Sequence, residues 1–122
     1  MNILQISFHT APFGSVGKHD SGGLNIYVEK VSKYLSDDHK VTVVTAEKAE
    51  SFKKGNLEFH SLNLFEKELS TENKEKYLVD FRTGLDKEID LKSFDVVHAH
   101  YWLSGLVSKQ IADELNLSLI HI

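Results

Sequence analysis

Cysteine is absent from the 122-residue chain. That excludes a disulfide scaffold and a Cys-based zinc site, and it fits a reducing compartment. Positive charge is also short, with fourteen Lys plus Arg against eighteen Asp plus Glu, a net charge of -4. A nucleic-acid partner needs a basic face to meet phosphates, so none is expected. No apolar run approaches the ~18 residues that cross a bilayer. The opening Met1–Ile6 lacks the basic region and long apolar stretch of a secretory signal. No transmembrane segment is expected, and the default location is the cytoplasm. Several motifs are missing as well: there is no Walker loop and no complete G-x-G-x-x-G. Nor does a G-x-S-x-G surround Ser7 or Ser104, so a hydrolase triad is not read here.

What remains is a globular composition, 41% hydrophobic and 26% charged, of a length for one domain spanning residues 1–122. Five short apolar or alternating runs read as strands: Ile3–Phe8, Val41–Ala46, Leu57–Leu62, Phe94–Ala99 and Leu117–Ile122. Three helical stripes lie between them. The first runs from Leu24 through Tyr27, Val28, Val31 and Tyr34 to Leu35. The second joins Tyr77, Leu78, Phe81, Leu85 and Ile89, with Gly84 a weak point worth up to ~1 kcal/mol. The third joins Leu103, Leu106, Val107, Ile111 and Leu115, with Asn116 as its stop. The alternation predicts an α/β domain with a mainly parallel sheet of about five strands and helices on both faces. The polar stretches Glu47–Asn56 and Glu66–Lys76 read as flexible, solvated loops.

The loop His9–Asp20 is about a dozen residues long, where strand-to-helix loops usually take ~2–6. It holds the only proline, Pro12, at the sheet edge where open parallel sheets bind ligands. Gly22 and Gly23 open the first helix. Their free amides and the helix dipole suit a phosphate, and a plain cap by Asp20 or Ser21 is the simpler alternative. His98 and His100 share one face of a strand by its period of two. No carboxylate or thiol stands at a supporting spacing, so no metal is assigned. They are core histidines or ligand contacts. Tyr101 and Trp102 follow at the carboxyl end of that strand, as pocket wall or as helix packing. Lys67 by itself is a surface lysine.

Three segments together carry a resemblance: His9-Thr10-Ala11-Pro12, then Asp20-Ser21-Gly22-Gly23-Leu24-Asn25-Ile26-Tyr27-Val28, then His98-Ala99-His100-Tyr101-Trp102-Leu103-Ser104-Gly105. The chain resembles, over nearly its whole length, the amino-terminal domain of family 4 glycosyltransferases. The similarity is to the branch of sucrose-phosphate synthase-like enzymes and the inositol-phosphate N-acetylglucosaminyltransferase of mycothiol synthesis. The resemblance implies a Rossmann-like parallel sheet forming the amino-terminal, acceptor-side half of a GT-B fold. It implies retaining transfer of a hexosyl unit from a nucleotide-sugar to a small phosphorylated sugar or cyclitol. Gly22 and Gly23 would then meet the donor diphosphate. His9, Asn25, Lys67 and Tyr101 would bind the acceptor, and Thr10, His100 and Trp102 would line the pocket. No cofactor is implied; the nucleotide-sugar is a co-substrate. His121 matches the first histidine of a His-x-x-His-Thr type loop whose second, catalytic histidine would lie beyond Ile122. The expectation is a truncated half-enzyme without its donor domain, inactive alone. Its bare cleft face would promote self-association, a compact stable monomer being the alternative. The rival functions are a non-catalytic module binding a phosphorylated small molecule or a protein partner, and a dehydrogenase-type enzyme disfavoured by the long first loop.

Overall fold

The computed structural model describes residues 1–13 and 23–121, apart from the side chains of residues 23–25 and 121. Gly22 and the loop residues 14–21 therefore lie outside the described residues, as does the side chain of Asn25.

The strands are β1 (Asn2–Ile6), β2 (Lys40–Glu47), β3 (Phe52–Lys54), β4 (Leu57–Phe65), β5 (Val96–Ala99) and β6 (Ser118–His121). The helices are α1 (Gly23–Leu35), α2 (Thr71–Glu75), α3 (Leu78–Glu88) and α4 (Trp102–Leu115), with a 3-10 turn at Leu91–Ser93. They build one sheet in the order β3-β4-β2-β1-β5-β6. All pairings are parallel except that of β3 with β4. This is the expected α/β sheet, with one antiparallel strand added at its edge.

β1 is the centre, and residues Ile3–Phe8 are all buried. The period of two divides its side chains between two apolar layers. Leu4, Ile6 and Phe8 pack with Val44, Val97 and the α3 and α4 residues Phe81, Leu85, Leu103, Val107 and Ile111. Ile3 packs on the opposite face with Val41, Val43, Leu57, Phe59 and the α1 residue Val28. Helices thus cover both faces, as doubly wound sheets require. No helix among the described residues is long and apolar enough to cross a membrane.

Two segments expected as loops are ordered elements instead. Within 47–56, Phe52 packs against Phe13 and Phe59, with ring centroids 5.2 and 5.6 Å away. Gly55, at φ 60°, then turns the chain with Asn56 straight into β4. A Gly-Asn pair between strands is a hairpin signal, and one apolar ring among charges supplies the anchor. Within 66–76, Ser70 caps α2 by accepting from the Asn73 amide at 3.4 Å. That stretch is not wholly solvated: Lys74 is buried, 8% exposed.

Gly84 has a packing reason. A Cβ there would lie 2.9 Å from Leu62 Cδ1, so α3 approaches β4 more closely than a side chain permits. Gly84→Val is expected to destabilise the fold by about 1–3 kcal/mol through overpacking. Urea unfolding should show a lower midpoint with an unchanged slope.

Candidate functional site

Parallel pairing sends the carboxyl ends of β1, β2 and β5 to one edge. β1 and β5 are in register at Gln5↔His98 and Ile6↔Ala99. The pairing continues past β5, where the His100 amide donates to the Ile6 carbonyl at 3.0 Å. Ser104 Oγ of α4 then accepts from the Phe8 amide at 2.9 Å. The segments that leave these two strands, His9–Phe13 and His100–Trp102, are thereby tied side by side.

A buried polar chain runs beneath them. Gln5 is fully buried within an otherwise apolar strand. Its Nε2 donates to Ser32 Oγ of α1 at 2.7 Å. Its Oε1 stands 2.7 Å from His100 Nε2. An amide oxygen only accepts, so Nε2 carries the imidazole proton and Nδ1 is left as an acceptor. That Nδ1 has no partner among the described residues, and neither do His9 Nδ1 nor His98 Nε2.

The rings cluster. His98 and His100 are 4.2 Å apart between centroids, and Tyr27 of α1 meets His100 edge-on at 5.9 Å. His9 lies against Tyr101 at 4.3 Å with a tilt of 32°. All three histidines are held neutral. Burial, then the neighbouring His98 and His9, lowers the His100 pKa to about 3. Burial and the nearby Lys74 lower that of His9 to about 4. Burial alone lowers that of His98. Among the described residues no three His, Asp or Glu side chains gather as a metal would need.

Tyr101, half-exposed at 39%, has φ 74° and ψ 160°. That region suits glycine and costs a residue with a Cβ about 1–3 kcal/mol. The strain is held by the backbone hydrogen bond from His100 to Ile6 before it and by α4 after it, where the Gly105 amide donates to the Tyr101 carbonyl at 3.1 Å. Trp102 is also exposed, at the first position of α4, with its ring 6.4 Å from that of Tyr101.

The structure thus brings His9, His98, His100 and Tyr101 together, with Trp102 at the rim. Gly23 opens α1 one helical turn before Tyr27, whose ring meets His100. Thr10 is half-buried, and its carbonyl accepts from Ser7 Oγ at 2.8 Å. Lys67 lines an adjoining cavity of about 410 Å³ with Ala11, Phe13 and Glu47. Sequence reasoning missed Gln5, Ser32, Glu47 and Lys74. Gln5 alone carried a signal, being polar inside a buried strand.

The family described as Glycosyltransferase Family 4 matches residues 21–121. The chain belongs to this family. It is 31% identical to a D-inositol 3-phosphate glycosyltransferase of Corynebacterium diphtheriae, covering 99% of this chain and 30% of that protein. It is 32% identical to the protein of the same description from Thermobifida fusca, covering 98% of this chain and 30% of the relative. The family 4 chain therefore spans under a third of the length of these relatives. Among solved structures, a sucrose-phosphate synthase from Thermosynechococcus elongatus superposes with a TM-score of 0.85 at 23% identity, over 99% of this chain and 32% of that one. The fold is that of the amino-terminal Rossmann-like domain of the GT-B architecture.

The neutral histidines make stability depend on pH. Their folded pKa values lie below the ordinary 6.5, so the unfolded chain binds more protons in between. Stability from this source is complete above pH 6.5 and is lost as pH falls toward about 4 for His9 and about 3 for His100. The slope is about 1.4 kcal/mol per pH unit for each such histidine. Urea midpoints between pH 7.5 and 5 measure it, and imidazole NMR titration assigns it to residues.

Proposed function

We propose that this chain is the acceptor-binding part of a retaining glycosyltransferase. The reaction moves a hexosyl unit from a nucleotide-sugar to a small phosphorylated cyclitol or sugar. The observation that carries this reading is the Tyr101–His9 pair. A strained backbone presents an exposed phenol over a neutral imidazole at the edge where open parallel sheets bind ligands. The description of the relatives as inositol phosphate glycosyltransferases supports the acceptor class.

In this reading the Tyr101 hydroxyl and the Lys67 ammonium meet the acceptor phosphate. Asn25 binds a ring hydroxyl, and His9 forms the pocket floor. Thr10, His100 and Trp102 line the walls. The neutral imidazoles offer one acceptor each, which suits hydroxyl groups. The amides of Gly22 and Gly23 face the donor diphosphate, where a helix start favours negative charge. The nucleotide-sugar itself is held by a separate donor domain, which completes catalysis by aligning both substrates and stabilising the leaving diphosphate. The reading assigns no organic cofactor and no resident metal, and it places the enzyme in the cytoplasm.

Calorimetric titration of D-inositol 3-phosphate into the chain tests the acceptor role. Binding is expected, and Tyr101→Phe should weaken it about ten- to a hundredfold, the value of a hydrogen bond to a charged group. Lys67→Ala should weaken it comparably. Absence of binding by the unmodified chain would remove the acceptor assignment and favour a module for another ligand. The chain alone should transfer no sugar from UDP-, ADP- or GDP-sugars. A product from the isolated chain, detected by mass spectrometry, would overturn the division into acceptor and donor domains.

A further inference from the structure

The segment His9–Ala11 leaves the sheet at the candidate site, and its backbone polar groups are held by side chains from three other places. Lys74 Nζ donates to the His9 carbonyl at 2.8 Å. Ser7 Oγ donates to the Thr10 carbonyl at 2.8 Å. The Ala11 amide donates to Glu47 Oε2 at 2.8 Å. Lys74 comes from α2, and Glu47 is the last residue of β2. Both are buried, at 8% and 3% exposure.

We propose that Lys74 and Glu47 are positioning residues: they clamp the His9–Ala11 backbone at its two ends, the His9 carbonyl and the Ala11 amide, and so hold the His9 ring against Tyr101 in the acceptor pocket. The inference rests on the acceptor-binding reading for its functional meaning, while the clamp itself is a property of the free chain.

Three considerations carry it. A buried lysine or glutamate costs several kcal/mol to desolvate, and an apolar residue of similar size would fill the same space more cheaply. Each charge is directed to a backbone group of one three-residue segment, and no fold-wide ladder depends on it. Lys74 is further packed over the Phe65 ring, 5.3 Å from its centroid, so its long side chain is guided along one path to the His9 carbonyl. The environment bears this out. Burial lowers the Lys74 pKa and raises that of Glu47, and the attraction between the two opposes both shifts. A site is most often loose when the groups behind its contacts are not fixed. Here the clamp fixes them.

Lys74→Met tests this on the 122-residue chain. It keeps the apolar stem over Phe65 and removes the donor. The His9–Tyr101 ring contact is read as a nuclear Overhauser effect between assigned ring protons, with melting temperature measured alongside. The expected result is a folded protein whose melting temperature falls by several degrees for the unpaired carbonyl, a lost or weakened ring contact, and D-inositol 3-phosphate binding about ten- to a hundredfold weaker at temperatures where the variant is fully folded, the scale of a small misplacement. Lys74→Arg should restore the contact. Glu47→Met removes the other anchor and serves if Lys74→Met does not fold; Glu47→Gln keeps an oxygen for the Ala11 amide and should retain the contact. A ring contact that persists in either folded methionine variant overturns the proposal. So does a loss of binding that vanishes at temperatures where the variant is fully folded, or the failure of both variants to fold. If the unmodified chain binds no D-inositol 3-phosphate, the acceptor reading fails, and the ring contact still decides the clamp.

Discussion

A primary amide buried in the central strand must be satisfied at both ends, and Gln5 meets that demand by spanning the layer between sheet and helix. Its nitrogen holds Ser32 of α1 and its oxygen holds His100 beyond β5. Leaving either end unpaired in a dry interior would cost about 1–3 kcal/mol. The bond therefore fixes more than two side chains. It sets the rotation of α1 about its own axis, and with it the place of Tyr27. It also sets the imidazole tautomer of His100 and the exit direction of the segment that carries Tyr101. The His100 side of the carboxyl edge is referred to this one amide.

The fold was legible because its core obeys two periods. β1, β2 and β5 are short, β-branched or apolar runs that a buried parallel sheet requires, and α1 and α4 carry apolar stripes at helical spacing. The hairpin β3–β4 escaped because β3 is an exposed strand of three residues, two of them basic, whose one apolar ring makes the contacts. α2 escaped for a related reason. Its five residues carry no apolar stripe, and Lys74 is buried by contacts with His9, far away in sequence, and with the Phe65 ring at the end of β4. In the site, His98, His100 and Tyr101 stood out as polar and aromatic types at a strand end. Glu47 and Lys74 did not, since a charged residue among charged neighbours looks like surface until the chain is folded around it.

The candidate site has a divided electrical character. Its three imidazoles are uncharged, and burial keeps them so across the neutral range. The part of the site near the sheet axis is thus a set of neutral acceptors and rings. The cations stand at its flank, where Lys67 lines the cavity beside Ala11 and Phe13.

Trp102 is the chain's only tryptophan. It sits half-exposed at the start of α4, next to the strained Tyr101. Its indole is close enough to the rim to sense water leaving or a ring arriving, and it is anchored to the same backbone corner that presents the phenol. The protein therefore carries a built-in optical reporter. Selective excitation of this one fluorophore follows events at the sheet edge with no label attached and no background from a second indole.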